Sequence, residues 1–418
     1  MKGFLTALAG TALLALTSVT DADTPARAAW PQWGGPDRNF VVPAADLALE
    51  WPPAGPPRLW ERPLGDGFSS IVTDGSSLYT LYRDGADDVV VSLDAATGRT
   101  QWDARYPAPF HESCTEQLGP APRAAPLIIR DQLITASAGG LMNSFDRRTG
   151  AKQWTRDLVE RSGDALRACG YASSPLAYRN TIITTAGGPG HGVVALDAAT
   201  GGIVWQSQDF ENGYSSPILI DLDGQPEIVV FTFGEVAGLN PDTGALEWSR
   251  PHQADMGVNV ATPIWGPDHL LFVSSAYNGG SRVLKLSRES GRVSVDEVWA
   301  NKRVRIHFGN AVRFGNRIYA SNGDFGSAPF AAIDVATGEM PWRDRAVTRS
   351  TLIGTGARLI ILDEDGNLAL ATPGDSGLTL HAKAQVLRGR AWTAPTLSGT
   401  TLYVRDRQQI LALDLRRH

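Results

Sequence analysis

Asp94-Ala95-Ala96-Thr97-Gly98, with Trp102 four residues after the glycine, is one of five near-copies in the chain. The others are Asp146-Arg147-Arg148-Thr149-Gly150 with Trp154, Asp197-Ala198-Ala199-Thr200-Gly201 with Trp205, Asn240-Pro241-Asp242-Thr243-Gly244 with Trp248, and Asp334-Val335-Ala336-Thr337-Gly338 with Trp342. Two further copies are degenerate: Ser290-Gly291 reaches Trp299 through an insertion, and Gly377 has His381 in place of the tryptophan. A spacing of about 40–50 residues between units of short strands is the signature of a β-propeller blade. Each unit reads as a buried apolar strand, such as Val89 to Leu93 or Val193 to Leu196, then a turn. Asp or Asn caps the turn amides and Gly supplies the positive φ that closes it. The strand that follows carries the tryptophan to the blade edge, where the ring fills the wedge between neighbours.

A second signal repeats ahead of each blade: small residues before a proline or its substitute. Ala124-Ala125-Pro126, Ser173-Ser174-Pro175, Ser215-Ser216-Pro217, Ala261-Thr262-Pro263 and Thr393-Ala394-Pro395 are clear; Ser69-Ser70-Ile71, Gly309-Asn310-Ala311 and Ser350-Thr351-Leu352 are looser. Small side chains suit innermost strands crowded around a central channel, and proline is tolerated where a strand begins. Eight starts against seven turns leave the last blade without its outer strand. The segment Pro57 to Pro63, carrying Trp60, is predicted to supply it and close the ring, which removes the exposed sheet edges. The expected fold is thus all-β: an eight-bladed propeller of four-stranded antiparallel blades over residues 57–418. Trp60, Trp102, Trp154, Trp205, Trp248, Trp299 and Trp342 are expected to be structural docking residues.

Residues 1–28 read as an export signal, with Lys2 before an uncharged apolar stretch from Leu5 to Val19 and small residues around Ala28 for cleavage. The stretch is short for a membrane span, and no cysteine follows it to take a lipid. Residues 29–56 form a proline-rich lead-in. The expected location is outside the cytoplasm, periplasmic or extracellular, as a soluble monomer without an integral membrane segment. A net charge of −6 gives no basic footprint for nucleic acid.

The Asp-x-x-Thr-Gly-x-x-x-Trp units resemble the tryptophan-docking motif of pyrroloquinoline-quinone-type β-propellers, over almost the whole mature chain. That superfamily includes quinoprotein alcohol dehydrogenases and the BamB-type outer-membrane assembly factor. The Pro31-Gln32-Trp33-Gly34-Gly35-Pro36-Asp37-Arg38 stretch resembles that of secreted members without an assigned activity. The resemblance fixes the fold more than the function, because one fold hosts many activities. The dehydrogenases of the family stack their quinone on a ring made by two adjacent cysteines; here the two cysteines, Cys114 and Cys169, are far apart in sequence. No Cys-x-x-Cys-His haem motif is present. No cofactor is therefore expected; the quinone with calcium belongs to the alternative reading, a quinone-dependent oxidoreductase.

Cys114 and Cys169 precede the innermost strands of consecutive blades, so both should reach one face, and in an oxidising compartment a disulfide is the favoured reading over free thiols. Asp221 to Glu227 superficially resembles a calcium loop but lacks the ligand spacing, and a polar hairpin turn in the fourth blade fits better. The seven histidines show no zinc spacing, and hydrolase and nucleotide motifs are absent. No metal site is expected.

The remaining signal is the channel mouth. The residue three before each proline, or its neighbour one further out, gives Phe68, Arg123, Tyr171, Tyr214, Asn259, His307, Phe308, Arg349 and Trp392. Aromatic rings with guanidinium groups suit an envelope protein or a small anionic or peptide-like ligand; the other reading is that they pack against one another and plug the channel. Taken together, the sequence predicts a non-catalytic binding scaffold, with the quinoprotein dehydrogenase as the competing class.

Overall fold

The structure, a computed structural model, describes residues 28–110, 119–159, 169–324 and 326–417. Eight antiparallel four-stranded sheets follow one another along the chain. Blades 1 to 7 span residues 72–107, 127–157, 176–207, 218–251, 264–301, 312–348 and 350–385. Blade 8 takes three strands from the C-terminus (Thr396–Ser398, Thr401–Arg405, Gln409–Asp414) and its outer strand from Arg58–Pro63. Trp60 sits opposite Ala412 in that antiparallel pair, as the missing eighth outer strand requires.

The tryptophan unit works across blade boundaries. Trp60 of blade 8 donates its indole N–H to the Ala95 carbonyl of blade 1 (3.1 Å), Trp102 of blade 1 to Arg147 of blade 2 (3.0 Å), and Trp154 of blade 2 to Ala198 of blade 3 (2.9 Å). Trp205, Trp299 and Trp342 do the same to Pro241, Val335 and Gly374 of the blades that follow them. The motif glycine has two reasons to be glycine. Its φ is positive, 69° at Gly98, and the neighbouring indole lies flat on it: a Cβ on Gly98 would stand 2.6 Å from the Trp60 ring, and one on Gly244 2.5 Å from Trp205. Losing a fully buried ring of this size costs about 3–5 kcal/mol, and these partly buried rings less.

The boundary between blades 4 and 5 departs from this pattern. The blade 5 hairpin is lengthened to two ten-residue strands, Gly280–Glu289 and Arg292–Asn301, and Gly291 at its tip has open space around it. Trp248 turns back within blade 4 and donates to the buried Glu227 carboxylate. Arg288 crosses from blade 5 to hold Glu227 (2.9 Å) and Glu247 (2.7 Å). Only Asp223 and Gly224 form the hairpin turn of blade 4, both with positive φ; Glu227 belongs to the buried strand after it.

Burial pushes Glu227 up to about 7, against the pull of Trp248 and Arg288. Between the ordinary glutamate range and pH 7 the native state then holds a proton that the unfolded state has lost, so this group lowers stability as pH rises through that window. Glu227→Gln is expected to remove that component of the pH dependence. Denaturation midpoints of both proteins at pH 5 and pH 8 check it; identical slopes would contradict the assignment.

Small residues at the innermost strands do more than leave room. The Ser69 hydroxyl donates to the Ala124 carbonyl, Ser174 accepts from the Ala125 amide, Ser216 accepts from the Ser174 amide, and Ser215 donates to Ala261. Asn310 bonds both the carbonyl and the amide of Leu352, and Thr393 donates to Phe68. Among the described residues, hydroxyls and amides thus latch six of the eight blade boundaries around the channel.

The lead-in has a structural role that its sequence did not disclose. Residues 30–42 cross the end of the channel opposite the mouth. Trp30 pairs with Thr73 of blade 1, the Pro31 carbonyl accepts from Ile128 of blade 2, and the Phe40 carbonyl accepts from Gly354 of blade 7. Val41–Val42 run parallel to Gly354 and Thr355, adding a fifth strand to that blade. Arg38 enters the channel and donates to the carbonyls of Ser174 (3.0 Å) and Pro175 (2.9 Å).

Candidate functional site

Strands within a blade alternate in direction, so two sets of connections share the mouth face: those leading into each innermost strand and those joining the second strand to the third. The candidate residues come from the first set. Five of them, contributed by the segments leading into blades 1, 6, 7 and 8, form one contiguous cluster.

Phe68 and Trp392 stack with centroids 5.5 Å apart, Trp392 meets Phe308 at 4.8 Å, and Phe308 meets His307 at 4.6 Å. The arc continues to Tyr277, whose ring meets His307 edge-on at 4.8 Å and whose hydroxyl lies 2.7 Å from His307 Nε2. Burial, with Arg349 nearby, pulls His307 down to about 4, so its ring is neutral near pH 7. A neutral imidazole can accept the Tyr277 proton at Nε2.

Glu364 organises the cationic side of the arc. It accepts from the Trp392 indole at 3.0 Å and pairs with Arg349 and Arg390, each at 3.5 Å. The Arg390 guanidinium lies 4.8 Å over the Trp392 ring. The Arg407 guanidinium lies 5.4 Å from the Phe68 centroid and pairs with Asp66. Arg349 is further fixed by the Asp324 carbonyl at 3.0 Å. Cation–π contacts of this kind hold guanidinium planes parallel to a surface while leaving their edges available.

The other candidates fall outside this cluster. Arg123 lies on the same face but pairs with the Gly119 carbonyl (2.7 Å) and the Phe110 ring (5.8 Å). Tyr214 is buried, its hydroxyl accepting from the Cys169 amide at 3.3 Å. Tyr171 is fully buried in a core cluster and bonded to Thr184. Asn259 is also fully buried: its amide nitrogen donates to Thr232 and Phe233, and its oxygen accepts from Ser275. Tyr171 and Asn259 therefore support the rim from beneath and do not line it. Cys114 lies outside the described residues, as does residues 1–27 of the export signal.

Tyr277, Glu364, Arg390 and Arg407 were missed by counting back from proline. Tyr277, Glu364 and Arg407 sit in connections between second and third strands; a search of those turns for aromatic and charged residues would have found them. Arg390 lies two residues before Trp392, one step beyond the positions counted.

Among the described residues, these rings pack against one another on one side of the channel entrance. Beside His307, Phe308 and Arg349 the free space is only about 10 Å³, at the lower limit for a single water. Trp392 has Phe68, Phe308 and Arg390 against it. These residues do not fit a pyrroloquinoline quinone, a fused three-ring acid that needs a slot between two free faces. Among the described residues no group of three His, Cys, Asp or Glu side chains is arranged to hold a metal ion. Among the described residues, the arc from Phe68 to Tyr277 is an aromatic surface with guanidinium groups beside it.

Ring, docking tryptophans and mouth together define a β-propeller of the pyrroloquinoline-quinone-like class. Within that class the chain belongs to the family described as outer membrane protein assembly factor BamB, whose model matches residues 53–294. Outer membrane protein assembly factor BamB of Burkholderia pseudomallei (strain K96243) is 23% identical over 240 residues, 48% of this chain and 61% of that protein. The match thus spans about three fifths of the length of that curated relative. The crystal structure of BamB from Moraxella catarrhalis superposes with a TM-score of 0.61 at 17% identity, covering 87% of this chain and 98% of that one. Quinohemoprotein alcohol dehydrogenase from Comamonas testosteroni gives 0.62 at 13% identity, covering 93% and 81%. At such identities both likenesses show the fold alone. No helix among the described residues is long and apolar enough to cross a membrane.

Proposed function

We propose that this chain is an exported, non-catalytic propeller of the cell envelope that holds a protein partner against its channel-mouth face. One observation carries the reading: Trp392, Phe308 and His307 form a continuous, partly exposed arc backed by the buried Phe68, with Arg349, Arg390 and Arg407 held beside it. Such a surface offers aromatic and arginine anchors, which dominate protein interfaces, without a pocket for a small substrate. Family membership supports it, since the relatives are named for assembly of outer membrane proteins. The quinoprotein reading has the fold in its favour, but the packed arc does not suit the quinone. A Cys114–Cys169 disulfide would brace the loops around this face and stabilise the fold by about 4 kcal/mol; peptide mapping of the unreduced protein tests it.

Replacing Trp392 and Arg390 by alanine is expected to weaken partner capture by about 30-fold or more, as loss of a central anchor does. Because Trp392 is only partly buried, thermal stability should change little. Capture from envelope extract and thermal unfolding, measured on the same preparations, check this. Stability falling in step with capture would favour a packing plug instead.

A further inference from the structure

At the end of the channel opposite the mouth, the crossing segment leaves a cavity of about 220 Å³. It exists because that segment is held unevenly. Blades 1, 2, 3 and 7 bond its backbone or Arg38, whereas toward blades 4 to 6 the Trp33 indole reaches Thr262 at 3.0 Å and the wall beside it stays uncovered. The uncovered wall carries Ile218, Leu219, Ile264 and Trp265, of which Leu219 is 40% exposed, together with the polar side chains of Thr262 and Asn310. The volume is that of about seven waters in the liquid.

Arg38 also borders the cavity and is only 5% exposed. Its terminal nitrogens donate to the carbonyls of Ser174 and Pro175 and to the Gln32 side chain, all neutral oxygens, and its Nε has no partner. Burial alone pulls the guanidinium down to about 9. A desolvated cation held only by neutral dipoles is costly, and a nearby anion removes that cost. Among the described residues the other buried arginine, Arg405, differs in having the carboxylates of Asp66 and Asp406 close enough to act on it.

We propose that this cavity binds a small organic monocarboxylate with an apolar body. The body lies on Ile218, Leu219, Ile264 and Trp265, and the carboxylate supplies the negative charge that Arg38 lacks. Asp37, exposed on the same cavity wall, opposes any anion on its side, so the carboxylate belongs beside Arg38 and a second one is disfavoured. This site is independent of the mouth, and its failure would leave the partner-binding reading untouched.

Fluorine NMR titration with 4-fluorobenzoate tests the proposal, with 4-fluorobenzyl alcohol as the uncharged analogue. Saturable binding of the acid, at least tenfold tighter than that of the alcohol, is expected. Leu219→Trp, which fills the opening and leaves Arg38 in place, should abolish both. Arg38→Gln should weaken the acid at least tenfold and leave the alcohol unchanged. Equal affinity for acid and alcohol, no saturable binding at millimolar probe, or full binding by the Leu219→Trp protein would each overturn it. Should the Arg38 variant fail to fold, the Leu219 variant and the acid-to-alcohol ratio decide.

Discussion

Deleting residues 57–63 is expected to abolish the folded monomer. That strand supplies five register pairs to blade 8, from Arg58 with Leu413 to Pro63 with Gln409. Without it, Gln409–Asp414 becomes an open edge with unpaired amides and carbonyls. The deletion also removes Trp60, whose ring covers Gly98 and Tyr403 and whose indole bonds Ala95 of blade 1. Ring closure thus loses its ladder and its docking contact together. Size-exclusion chromatography should show aggregate in place of a monomer peak. A monomeric, cooperatively unfolding deletion protein would show that the ring closes by other means.

Arg405→Met should be the most damaging single substitution at the same seam. Arg405, in the second strand of blade 8, is fully buried and donates to Ser69, Thr80, Leu81 and Gly65 of blade 1 and its approach. Methionine fills much of the same space and removes all four hydrogen bonds across the seam, each worth about 1–3 kcal/mol where the acceptor stays buried and unpaired. A loss of about 3 kcal/mol or more is expected, since removing the costly buried charge offsets only part of the damage. Chemical denaturation of the variant measures it. A change below 1 kcal/mol would mean that water replaces the guanidinium at little cost.

This seam shows what the sequence could and could not disclose. Blade number, the docking tryptophans and the closing strand were legible because each rests on a constraint that recurs with the blade. A glycine lies under five of the indoles, and the small latch residues recur at most blade boundaries, so repetition exposes them. Contributions made once leave no such trace. Arg38 and Arg405 look like ordinary arginines in sequence, and only the closed ring puts them in low-dielectric surroundings. Glu227 read as part of a polar turn because Asp221, Asp223 and Gly224 precede it; its burial follows from the lengthened blade 5 hairpin and the Trp248 ring turned onto it. At the mouth, counting three residues back found Phe68, Phe308 and Trp392, whereas Tyr171 and Asn259 came from one position further out, where both side chains turn into the core. Glu364, which ties Trp392 to Arg349 and Arg390, arises from a different set of turns and escaped the rule.

The most direct test of the partner-binding account is photo-crosslinking in the intact cell envelope. A photoreactive residue is placed at Phe308, within the mouth arc, and in a second protein at Leu246, which is 47% exposed on the outer strand of blade 4. The account predicts a discrete protein adduct from position 308 and none from position 246. Adducts from the perimeter position, with none from the mouth, would contradict it.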